Sequence, residues 1–146
     1  MAQVMTRMNL TWLGDPGPRV STQNTFKVVF TIVMSYIVYS TALELASLEY
    51  TSVGVDLPTY LLVLKTIGSV TFTVYAFYSL CKTRQNVRAR YSIPTAQCGG
   101  MEDCVCAFFC TCCTVSQLAR HTGEYETYPG VCCSETGHPK GTPSTV

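Results

Sequence analysis

Two long apolar stretches limit the folds open to this chain more than any other feature. Residues 28–43 carry no charge, and residues 57–81 carry only Lys65. Both stretches have helical length, and a spanning helix needs about 20 apolar residues to cross a bilayer core of roughly 30 Å. The first stretch reaches that length only if its helix continues past Glu44. The sequence predicts spanning helices at about 27–48 and 57–81. Lys65 and Glu44 would lie near their outer end, where snorkelling of the amine and an ion pair between the two would lower the cost of desolvation.

The composition favours a membrane protein over a soluble one. Charged residues make up 13% of the chain, about half of the ~25% usual in soluble domains. The alternative is that both stretches are buried core helices, but each is apolar on all sides. The net charge of +1 provides no basic field for nucleic acid, so no nucleic-acid partner is predicted. No hydrolase, phosphate-binding or metalloprotease motif occurs, and the chain is predicted not to be an enzyme.

The charges that flank the two stretches predict the orientation of the hairpin. Basic residues precede the first stretch and follow the second, namely Arg7, Arg19, Lys27, Lys82, Arg84, Arg88 and Arg90. The connector 44–56 contains acids and no base. Because cytoplasmic loops retain Lys and Arg, both termini are predicted on the cytoplasmic side, with Arg84, Arg88 and Arg90 at the lipid headgroups. Residues 1–26, rich in turn formers, are predicted to be an irregular polar leader.

Six of the nine cysteines fall within residues 98–113. If a helix runs from Asp103 onward, three of them share one stripe at i, i+4 and i+7. Thiolates on one face suit a soft metal such as zinc, which takes four ligands, each sulfur at about 2.3 Å. The predicted ligands are Cys104, Cys106, Cys110 and Cys113. Other sources of the fourth ligand stay open, namely Cys98, His121 and the pair Cys132 and Cys133.

Two other uses of these cysteines also stay open. Cysteine packs as a small hydrophobe, so part of the cluster can be core. Membrane-proximal cysteines are also common sites of S-acylation. The predicted cytoplasmic position argues against disulfides, because that compartment keeps thiols reduced.

Four elements follow the second stretch in fixed order. They are Arg88-Ala-Arg90-Tyr91-Ser92-Ile93-Pro94, then Asp103-Cys104, then Cys110-Thr-Cys112-Cys113, and Gln117-Leu-Ala-Arg120. Together they resemble the C-terminal half of the cysteine-rich PLAC8 family, over about residues 80–121.

The resemblance implies a membrane-associated protein. Members of the family are associated with cell-size or growth control, with resistance to cadmium and other divalent metals, and with homo-oligomers. The positions that the resemblance singles out are Asp103, Cys104, Cys110, Cys113, Gln117 and Arg120. We expect the last two to donate hydrogen bonds that orient thiolates.

The predicted fold is mainly α, with a two-helix transmembrane hairpin over 27–81. A small cysteine-rich cytosolic helical module follows over 82–133, and a flexible tail over 134–146. The predicted function is that of a PLAC8-like membrane protein whose module binds metal or forms oligomers. The alternative is an accessory structural subunit of a larger membrane complex. The terminus Ser144-Thr145-Val146 has the form that PDZ domains capture.

Overall fold

A computed structural model describes residues 1–17, 24–94, 101–123, 125–131, 134–139 and 142. Over these residues the regular structure is helical and no strand of a sheet forms, which confirms the mainly α class. The helices are α1 (Ala2–Arg7), α2 (Thr25–Val53), α3 (Thr59–Arg90), α4 (Glu102–Phe109) and α5 (Thr111–Thr122).

The two apolar stretches form α2 and α3, and each helix is long and apolar enough to cross a membrane. The best 18-residue windows have mean hydropathies of 1.7 and 1.5. Both helices are longer than predicted. Helix α2 continues through the acidic connector until Gly54 stops it in the left-handed conformation, at φ +72°, where glycine has no side-chain penalty. Helix α3 continues beyond Cys81 through the whole basic segment.

Contacts between α2 and α3 make an antiparallel hairpin. Tyr36 stacks on Phe72 with ring centroids 3.9 Å apart. The hydroxyl of Tyr39 donates to the carbonyl of Leu64 at 2.7 Å. Only 6% of each apolar window is buried, so most of the apolar side chains of the hairpin are not covered by the described part of the protein.

The predicted ion pair is confirmed, with Lys65 Nζ 2.6 Å from Glu44 Oε1. These two charges bound an uncharged segment in each helix. Glu44 follows residues 28–43 of α2, and Lys65 precedes residues 66–81 of α3. A lysine bounds each segment at its other end, Lys27 in α2 and Lys82 in α3. The two helices therefore carry matched uncharged segments of sixteen residues side by side.

The core lies at the basic end of the hairpin, and all five helices contribute residues to it. Its buried residues are Val4, Met5, Met8, Leu10, Val29, Leu80, Val87, Ala107 and Leu118. The irregular leader predicted over 1–26 is thus helical at its start, because apolar side chains of α1 complete a core that the other helices leave open. The hydroxyl of buried Thr25 donates to the carbonyl of Leu10 at 2.7 Å. This hydrogen bond ties the N-terminal segment, residues 1–17, to the start of α2.

Gly14 brings the segment after α1 against α3. It has a φ of +90°, and a Cβ there would lie 2.9 Å from the backbone oxygen of Ser79 and from the backbone nitrogen of Thr83. Its carbonyl accepts a hydrogen bond from Asn86 Nδ2 at 2.7 Å. Only glycine allows both this backbone conformation and this close approach.

We expect Gly14→Ala to detach the N-terminal segment from α3. Gly54→Ala is the matched control, because Gly54 also has a positive φ but an added Cβ meets nothing within 4 Å. The control carries only left-handed strain of about 1–2 kcal/mol, whereas Gly14→Ala adds steric conflict of about 1–3 kcal/mol. Hydrogen exchange of the α1 amides should accelerate in Gly14→Ala alone. Unchanged protection of α1 in that variant would contradict the docking.

Candidate functional site

A buried carboxylate joins α4 to the basic end of α3. The side chain of Asp103 is 3% exposed. Its Oδ1 accepts hydrogen bonds from Arg84 Nε at 2.9 Å and from Arg88 Nη1 at 2.8 Å. Arg88 also pairs with Glu102 at 3.3 Å. We call these four residues the Arg–Asp cluster; its arginines stand four residues apart, which places both on one face of α3.

All three arginines that were predicted at the lipid headgroups have partners in the protein; their position relative to a membrane stays a prediction. Arg84 and Arg88 have side chains only 16% and 12% exposed, and they face the protein. Arg90 donates to the carbonyl of Met8 at 3.3 Å, so it contacts the N-terminal segment.

Thr114 connects the Arg–Asp cluster to α5. Its buried hydroxyl accepts from Arg84 Nη1 at 3.4 Å and donates to the carbonyl of Cys106 at 3.2 Å. The hydroxyl therefore links α3, α4 and α5 at one point. Sequence analysis missed this residue, since a single threonine within a helix carries no distinguishing pattern.

The cysteine stripe predicted from one continuous helix does not form. The backbone breaks at Cys110, with φ −141° and ψ 67°, and this residue separates α4 from α5. Cys110 is instead joined to Cys113 in a disulfide, with Cα atoms 5.3 Å apart. Cys104 is joined to Cys81 at the end of the uncharged segment of α3, with Cα atoms 4.9 Å apart.

The four predicted ligands therefore do not converge in the structure. Cys106 is a half-buried free thiol, and Cys112 is an exposed free thiol. Among the described residues no group of three or more His, Cys, Asp or Glu side chains is placed to hold a metal ion. The alternative ligands Cys98, Cys132 and Cys133 lie outside the described residues. The donor set described here fits two cysteine pairs better than one four-cysteine zinc site.

The two predicted orienting residues face cavities. Gln117 lines a cavity of about 240 Å³ together with His121 and residues of the Arg–Asp cluster. Arg120 lines a second cavity with Tyr125 and Glu126. Their action on thiolates stays a prediction.

The amide of Gln85 approaches a sulfur in the structure, since its Nε2 lies 3.7 Å from Cys81 Sγ. The sequence analysis missed this contact. Gln85 follows Cys81 by four residues on one helix, and that spacing could have indicated the contact.

One of three comparisons with known proteins identifies the family of the chain. The model of the PLAC8 family matches residues 19–121. The chain belongs to the PLAC8 family. The match begins upstream of the residues that carry the resemblance, so the family likeness covers the whole hairpin as well as α4 and nearly all of α5. A search of curated proteins and a search of solved structures each found no match.

We expect Asp103→Asn to loosen α4 and α5 from α3, because it leaves two largely buried guanidinium groups without their shared counter-charge. Removing one partner of a buried ion pair lowers the free energy of unfolding by about 3–5 kcal/mol. Because ~1.4 kcal/mol corresponds to a factor of ten, the amide exchange rates should rise about a hundredfold or more. Hydrogen exchange of the α4 and α5 amides measures this. Glu102→Gln is the control, since its side chain is 31% exposed and such a pair is worth at most about 1 kcal/mol. Equal effects of the two variants would refute a special role for Asp103.

Proposed function

We propose that this PLAC8 protein is an integral membrane hairpin that holds a cysteine-bearing module at the cytoplasmic end of its spans and acts by binding rather than by catalysis. The Arg–Asp cluster carries this proposal. It fixes α4 and α5, with their cysteines, to the part of α3 that continues beyond the uncharged segment. A module fixed in this way keeps its thiols at one height relative to the span.

The orientation rests on where the two ends of the chain meet. Arg90 contacts Met8, and Arg7 Nη2 donates to the hydroxyl of Tyr125 at 2.8 Å. The N-terminal segment and the module therefore lie at the same end of the hairpin, which is also the end rich in Lys and Arg. Short loops with that excess remain in the cytoplasm.

Glycosylation mapping in microsomes tests the orientation. A flexible insert carrying an acceptor sequon, placed after Gly54, should be glycosylated because it reaches the lumen. The native sequon Asn9-Leu10-Thr11 is the internal control and should stay unmodified, because on the cytoplasmic side it meets no glycosyltransferase. Glycosylation of Asn9 with no glycan on the insert would show that the orientation is opposite to the one proposed.

We propose soft divalent cations, such as zinc or cadmium, as the ligands of the module. Each cysteine pair places two sulfurs close together, and in a reducing compartment the pair is a dithiol. Within the described residues neither pair belongs to a group of three or more ligand side chains. A pair therefore offers two thiolates and leaves the other positions of a tetrahedral ion to exchangeable ligands. That donor set suits transient handling of metal better than a permanent structural ion.

Metal titration of the reduced, detergent-purified protein tests this ligand class. We expect about one zinc or cadmium ion per cysteine pair, detected by elemental analysis and by the ultraviolet band of metal thiolates. The double variants Cys81→Ser with Cys104→Ser, and Cys110→Ser with Cys113→Ser, should each lose one ion. Cys112→Ser is the control and should bind as the wild type does. Binding that survives in both double variants would sink the proposal.

The exposed flanks of the hairpin support a second candidate, assembly with other membrane chains. Val38, Ile67 and Val74 are about 60% exposed, and neighbouring spans can cover such surfaces as well as lipid can. Light scattering in detergent separates a homo-oligomer from an accessory subunit that co-purifies with other chains. The proposed PDZ terminus at Ser144, Thr145 and Val146 lies outside the described residues.

A further inference from the structure

An apolar groove of about 440 Å³ lies where α4 meets the uncharged segment of α3. Phe72, Phe77 and Leu80 line it from α3, and Ala107 and Phe108 line it from α4. Every residue that lines it is uncharged. The ring of Phe108 meets the ring of Phe77 edge-on, with centroids 6.0 Å apart.

One face of α4 continues this apolar surface away from the protein. Asp103 and Ala107 are buried against α3, whereas Met101, Val105 and Phe108 are 70%, 47% and 70% exposed. The exposed residues follow i, i+4 and i+7, which is the spacing of a single helix face. Phe109, the next residue, is 80% exposed. Helix α4 thus has one face held on α3 through Asp103 and an apolar face that is largely exposed in the described part of the chain.

The position of this face relative to the uncharged segment of α3 indicates its environment. The α3 wall of the groove belongs to the uncharged segment 66–81, and the first charge of the basic end, Lys82, comes one residue later. In the proposed membrane hairpin, acyl chains surround the exposed part of that segment, whereas Ser79, Leu80 and Cys81 at its end are buried in the protein. An apolar helix face at the level where a span leaves the bilayer is characteristic of an interfacial helix.

We propose that Phe108 and Phe109 insert into the cytoplasmic leaflet and that a lipid acyl chain occupies the groove between α3 and α4. This inference rests on the membrane insertion proposed above. Burial of each phenylalanine in hydrocarbon is favourable, so the bilayer holds one face of α4 while the Arg–Asp cluster holds the other. The lipid thereby becomes part of the support of the cysteine module.

Tryptophan quenching by acyl-chain-brominated phosphatidylcholine and phosphatidylserine vesicles tests the inference. The one native tryptophan is removed as Trp12→Phe, and single reporters are introduced as Phe108→Trp, Val70→Trp and Tyr91→Trp. Val70 is an exposed residue of the uncharged segment, and Tyr91 is an exposed residue beyond the end of α3. We expect the reporters at 108 and 70 to lose about half of their emission, since both would contact acyl chains. The reporter at 91 should keep its emission.

The three reporters separate the failure of this inference from the failure of the proposed function. An unquenched reporter at 70 would overturn membrane insertion, and the groove proposal with it. A quenched reporter at 70 with an unquenched, iodide-accessible reporter at 108 would overturn the groove proposal alone. A reporter at 108 that is shielded from both bromine and iodide would show that protein covers the groove, which also overturns it. Circular dichroism verifies that each variant keeps the wild-type helix content.

Discussion

The carboxylate of Asp103 is the group on which the position of the cysteine module depends. A buried carboxylate is costly unless opposite charges and hydrogen bonds compensate for the lost water. Arg84 and Arg88 provide both, at 2.9 and 2.8 Å. They can do so only because α3 stays helical beyond Cys81, which keeps the two arginines on one face. The same continuation brings Cys81 beside Cys104, so the helix, the cluster and the cysteine pair depend on one another.

The N-terminal segment is the second element that this end of the molecule needs. Val4 and Met5 of α1 are buried in the core, where α1 packs against α2 and α5. Gly14 then brings the segment that follows α1 against α3. Packing at the basic end therefore involves segments from both ends of the chain, although the hairpin between them buries little of its own surface.

The features that could be predicted from the sequence are local ones. Apolar length predicted the two long helices, and two isolated charges predicted the pair between Lys65 and Glu44. The motifs beyond the second stretch pointed to the PLAC8 family, which the family match confirms. Features set by tertiary contacts were harder to foresee. Neither glycine nor proline marks the break at Cys110.

Two further segments make contacts that their own sequence patterns do not reveal. The turn formers that end the leader concealed the helical spacing of its first apolar residues, whose burial depends on distant helices. The basic residues after Cys81 matched a membrane-interface pattern, yet Asp103 draws Arg84 and Arg88 into the protein. In both segments a partner far along the chain decided the outcome, and the sequence pattern alone does not identify such a partner.

The length of the matched uncharged segments of α2 and α3 determines the bilayer thickness that the proposed membrane hairpin can span. Sixteen residues in each helix, at about 1.5 Å per residue, span about 24 Å. That height is a few ångströms less than the roughly 30 Å hydrocarbon core of a typical bilayer. In the proposed membrane hairpin, the lysines that bound these segments would therefore extend toward the headgroups, or the bilayer would thin around the spans.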